Sequence, residues 1–145
     1  MSVNGWSLIR FVHVLSAMGW VGGQLFLSAV LLPVLRRRLP PDERGTLIHE
    51  TARRFASMAN TALLPLLVVS GVAIAWHRGV TFASLGDPGY GRLLAIKLVF
   101  VVASIALAAG HGVLASRRPS SARPMAIAGL VSSVAIVVFA TALVP

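Results

Sequence analysis

The sequence predicts an all-α integral membrane protein, a four-helix bundle with both termini outside. Three observations carry that expectation. Of the 145 residues, 57% are apolar and only 12% are charged, whereas a soluble domain carries roughly 25% charged residues. The mean hydropathy is +0.84. Four apolar segments each reach the roughly 20 residues that cross a bilayer as helix, and lipid leaves their backbone N–H and C=O groups no partners except those of a helix. So few charges cannot cover a soluble globule of this size, which excludes a soluble enzyme and a disordered chain. Cysteine is absent, which excludes a disulfide scaffold, iron–sulfur clusters, thiolate copper sites and the usual structural zinc. The length suits one domain, residues 1–145.

The first helix is expected over about 6–35. Its apolar run is too long for a cleavable signal peptide, and no charged stretch precedes it. The second is expected over about 42–76. Pro40-Pro41-Asp42-Glu43 reads as a helix start, with proline and acids in the first turn. This helix begins in water, because Leu47, Ile48, Thr51, Phe55 and Met58 recur at helical spacing among charges. It enters the membrane around Arg53-Arg54-Phe55, and Pro65 should kink it. Gly86-Asp87-Pro88-Gly89 is a turn signal. The third helix is expected over about 91–115, a loop over Arg117–Ser121, and the fourth helix over about 125–144.

Charge sets the orientation. Arg36, Arg37, Arg38, Arg44, Arg53, Arg54, Arg117, Arg118 and Arg123, nine of the 13 basic residues, fall around the first and third connections. By the positive-inside rule these face the cytoplasm, so both termini lie outside. Trp6, Trp76 and Tyr90 fall at the opposite interface, where such rings anchor. Topology therefore accounts for the net charge of +9, and no nucleic-acid partner is expected. The expected location is the bacterial inner (plasma) membrane, multi-pass.

Ionisable groups inside spanning helices are costly and raise functional hypotheses by default. His13, Ser16, Trp20 and Gln24 form one stripe on the first helix, and Lys97, Ser104 and His111 form another on the third. On the second helix His49, Arg53, Ala56 and Asn60 share a face. Such stripes should turn inward. The plainer role of Ser16, Gln24, Ser104 and Asn60 is hydrogen bonding between helices, and that of Gly19, Gly22, Gly23, Gly71, Gly110 and Gly112 is close helix approach. Ser132, Ser133 and Thr141 on the fourth helix read as packing. His13 lies about 10 Å below Trp6, and Lys97 about 9 Å below Gly91, so the two are level. His111 lies about 21 Å lower, near His49 and Arg53 in height. One iron cannot take both His13 and His111 as ligands. Imidazole suits haem iron, copper and zinc. The propionates of a b-type haem would need basic groups, Arg78 and Arg92 outside or Arg53 and Arg54 inside. Met18 and Met58 point away from the histidine stripes of their helices, which disfavours a Met/His copper path. No nucleophile–base–acid set appears and the segments inside the membrane carry no carboxylate, so hydrolysis and acid–base catalysis are not expected.

The run Tyr90-Gly91-Arg92-Leu93-Leu94-Ala95-Ile96-Lys97-Leu98 resembles the third-helix signature of the copper resistance protein D (CopD) family. Arg10-Phe11-Val12-His13 followed by Trp20-Val21-Gly22-Gly23 is similar to its first helix. Arg54-Phe55, Ser70-Gly71 and the closing Thr141-Ala142-Leu143-Val144 extend the resemblance over nearly the whole chain. The chain also resembles the HemJ-type protoporphyrinogen oxidases, four-helix membrane proteins associated with b-haem, at His13, Lys97, Ala52-Arg53-Arg54 and His111-Gly112. Taken with the polar stripes, these likenesses imply haem b in the bundle interior, serving electron transfer or oxidation of a membrane-soluble substrate. His13 is then the ligand, with Lys97 its polar or charge partner, Trp20 a neighbour and His111 the inner ligand. Copper transport or resistance through the same histidines is the second implication. The third is an accessory subunit of a larger membrane complex or a homo-oligomer.

Overall fold

The computed structural model describes residues 4–117 and 119–143, with side chains at 4–110, 124 and 126–143. All long elements are helices: α1 Gly5–Arg38, α2 Pro41–His77, α3 Tyr90–Arg117 and α4 Pro119–Ala142. The chain divides into two compact units, one running through Gly79 and one starting at Val80.

The first unit is the α1–α2 hairpin. Asn4 caps α1, its Oδ1 accepting from the Ser7 N–H at 2.9 Å, which satisfies one of the orphan donors of the first turn. Arg36, Arg37 and Arg38 close α1, where cations suit the helix dipole. Pro41 then opens α2 with Asp42 and Glu43 in its first turn, as the sequence predicts. Gly79, at φ 70°, ends the hairpin, and its N–H bonds the Trp76 carbonyl at 2.9 Å, a left-handed cap that glycine adopts without strain.

The kink expected at Pro65 takes the form of a π turn over Ala59–Leu63, where the Leu64 N–H reaches back to the Ala59 carbonyl. A matching turn over Leu27–Leu31 precedes Pro33, with Leu32 bonding Leu27. A proline offers no N–H and crowds the carbonyl four residues back. A locally widened turn accommodates both defects.

With 34 and 37 residues, α1 and α2 run about 51 and 55 Å, well beyond the roughly 30 Å hydrocarbon core. Both helices are therefore longer than the hydrocarbon core requires, and the arginines lie at the Leu39–Pro40 end of the hairpin.

The second unit is a short 3₁₀ turn, Ala83–Gly86, followed by the α3–α4 hairpin. The turn signal at residues 86–89 holds. The loop expected over Arg117–Ser121 does not: α3 runs to Arg117 and α4 starts at Pro119, six residues ahead of the expected 125. Proline at a first helical position is pre-set for the helix, so Pro119 starts an element instead of interrupting one. Arg118 lies outside the described residues.

Polarity runs opposite to that of a soluble protein. Among the described residues, the largest fully buried side chains are Ser104 and Ser133. Met18, Val72 and Val99 are 66%, 64% and 67% exposed, with many other large apolar groups. Such a surface suits lipid, not water. Within α1, α2 and Tyr90–Gly110 lie windows long and apolar enough to cross a membrane; the apolar helix Ala126–Ala142 is shorter.

Candidate functional site

The α1 stripe faces α2, as expected. Ser16 and Trp20 are buried, while His13 and Gln24 are half-buried. The opposite face, with Phe11, Val14 and Met18, is exposed.

His13 meets α2 at Ser70, its Nδ1 lying 2.9 Å from Ser70 Oγ. The serine hydroxyl also bonds the Leu66 carbonyl one turn back and lies 3.4 Å from the Leu67 carbonyl. A hydroxyl has a single proton and a carbonyl can only accept. Ser70 therefore donates to its own helix and accepts from the His13 Nδ1–H. Gly71 makes room for the ring: a Cβ there would stand 3.1 Å from His13 Cε1.

Two turns further along α1, Trp20 is 8% exposed and stacks on Phe55 of α2, with ring centroids 6.0 Å apart and planes at 19°. The Phe55 ring also fills the space where a Cβ on Gly23 would be. Gly19 receives Leu63 in the same way, but Gly22 has nothing within 4 Å and so is not a contact point. Beside Phe55 lies an open groove of about 280 Å³, lined by Gly23 and Phe26 of α1 and by Thr51, Arg54, Phe55 and Met58 of α2. At the other end of the hairpin Trp6 stacks on His77, centroids 3.7 Å apart.

The polar face expected on α2 does not meet α1. His49, Arg53, Ala56 and Asn60 are all exposed. The face that meets α1 runs through Ile48, Thr51, Phe55 and Ala59, half-buried to fully buried. His49 and Arg53 therefore sit about 100° or more round the helix from that seam. Arg54 is exposed at the groove.

In the second unit Lys97 is half-buried on α3. Two turns on, Ser104 bonds Ser133 of α4, Oγ to Oγ at 2.8 Å. Phe100 stacks on Phe139 at 5.5 Å. These pairs make Ser104 and Ser133 interhelical contacts, the plainer of their expected roles. His111 lies on α3, its side chain outside the described residues. Among the described residues, no three His, Cys, Asp or Glu side chains gather as a metal-holding group.

The partners that sequence reasoning missed are Ser70 and Phe55. Both belong to the Arg54-Phe55 and Ser70-Gly71 pairs that carry the family resemblance, which is the signal that points to them.

The family described as Copper resistance protein D matches residues 49–144, so His13 and Trp20 precede the matched stretch. An uncharacterised protein of Aquifex aeolicus (strain VF5) is 40% identical over 65 residues, 45% of this chain and 44% of that protein. The copper transport protein CutJ of Bacillus subtilis (strain 168) is 32% identical over 111 residues, 77% of this chain and 19% of that protein. The chain thus matches less than half the length of either relative. No solved structure matches it significantly.

Proposed function

Because the chain belongs to the copper resistance protein D family, a multi-pass protein of the bacterial inner membrane, we propose that it handles copper within the bilayer, with His13 as the outer station. The observation that carries this reading is the Ser70–His13 hydrogen bond. A metal-ligating histidine characteristically donates its other ring N–H to an oxygen, which fixes tautomer and orientation. His13 has that arrangement, and imidazole is a ligand type that suits copper. Met18 and Met58 are exposed, so the site is built on imidazole rather than thioether. The relative named for copper transport supports the choice of cargo.

In this reading the chain works as one four-helix domain with both termini outside. Trp20 packs below His13 on α1, and Lys97, a cation like the arginines, is a polar or charge partner only in the alternative of haem b. His111 is the inner station, and His49 lies at the inner rim. Arg53 and Arg54 would repel a cation; as propionate partners they belong to the alternative of haem b. Imidazole suits haem iron equally well, and the family and the relative named for copper transport favour copper. Other membrane subunits or further copies of the chain are partners compatible with either cargo.

The test is copper content in cells expressing the chain. Wild type should move it away from the empty-vector level, and His13→Ala should restore that level. Identical content in wild type and vector would overturn the proposal.

A further inference from the structure

We infer that the groove beside Phe55 is a binding site for one anionic phospholipid, its acyl chain along Gly23, Phe26 and Met58 and its phosphate on Arg54. The groove holds about 280 Å³, its lining is almost wholly apolar, and Arg54 is its single charged lining residue, its aliphatic stem along the groove and its charged head free to reach the rim. No carboxylate lines it; Glu50, one turn before Arg54, stands outside.

Depth supports the assignment. From Phe55 to Trp76 the sequence has no charged residue, so Arg54 is the last charge before α2 enters hydrocarbon. On α1, Phe26 stands ten residues before Arg36, about 15 Å along the helix. The groove thus starts at the last charge of α2 and lies on the apolar side of the arginines that close α1. Its rim, Phe26 and Met58, is exposed at 56% and 51%. Water gains nothing in an apolar recess at that depth, while an acyl chain fits it without polar cost.

Headgroup preference follows from charge. Arg53 adjoins Arg54, and Arg36, Arg37, Arg38 and Arg44 lie at the Leu39–Pro40 end of the same hairpin. A headgroup of net negative charge gains from this field, and a guanidinium grips a phosphate with parallel N–H donors. A zwitterionic headgroup of equal chain length shares the phosphate but not the net charge.

The experiment is native mass spectrometry of the full chain from detergent, titrated with phosphatidylglycerol, with phosphatidylcholine of the same acyl chains, and with inorganic phosphate. Phosphatidylglycerol should bind wild type at one tight site and phosphatidylcholine about tenfold more weakly. Inorganic phosphate should not be retained. Arg54→Gln should weaken phosphatidylglycerol about tenfold and Arg54→Lys less. Met58→Trp, on an exposed position, should fill the groove and displace the lipid. Equal binding by Arg54→Gln, no headgroup preference, or undiminished binding by Met58→Trp would overturn the assignment. So would tight inorganic phosphate, or a dimer that Met58→Trp breaks, which would make a second copy the occupant.

Discussion

His13 can be selected from the sequence because an imidazole among apolar residues is costly and rare in a spanning helix. Its partner cannot. Ser70 stands 57 residues away, and a single serine in an apolar helix has the same signature whether it orients a ligand or merely bonds its own backbone. Only the hairpin register brings the two together, with Gly71 leaving space for the ring. The role of Ser70 predicts a specific loss. Ser70→Ala should leave the fold intact and weaken copper binding tenfold to a hundredfold, the usual cost of removing an outer partner of a metal ligand. Ser70→Thr, which keeps the hydroxyl, should retain most of the affinity. Competition titration against a copper chelator measures both.

At the scale of elements, apolar run length locates the four helices, because lipid permits only one way to pair the backbone. The faces are harder to read. On α1 the polar stripe is also the packed stripe. On α2 the seam through Ile48, Thr51, Phe55 and Ala59 lies to one side of the polar residues, so polarity alone does not mark the packed face there. Proline is ambiguous for a related reason: Pro65 and Pro33 demand relief, but sequence does not say that a π turn supplies it. The α3–α4 seam gives an energetic prediction. Ser104→Ala and Ser133→Ala should each lower stability by about 1 kcal/mol, because each removes a buried hydrogen bond between α3 and α4. The double variant should lose less than the sum, by about 0.6 kcal/mol, the average worth of such bonds in membranes. Reversible unfolding in mixed micelles would show strict additivity if the bond contributed nothing.

For the whole molecule, the sparse charge points to a membrane, and the buried serines and exposed valines of both hairpins bear that out. Orientation rests on the nine arginines around the first and third connections. A C-terminal reporter active only in the cytoplasm should stay silent, while one active only outside should report; the reverse would invert the topology. The family match starts at His49, so the copper assignment and the His13 site have separate supports, one from relatives and one from geometry. They meet in a single measurement. The purified full chain is loaded with copper in mild detergent and desalted, and its metal content and visible spectrum are recorded beside those of His13→Ala. The account predicts copper retained by wild type, lost from His13→Ala, and no Soret band in either. Metal-free wild type, copper held equally by the variant, or a Soret band that disappears in His13→Ala would contradict it.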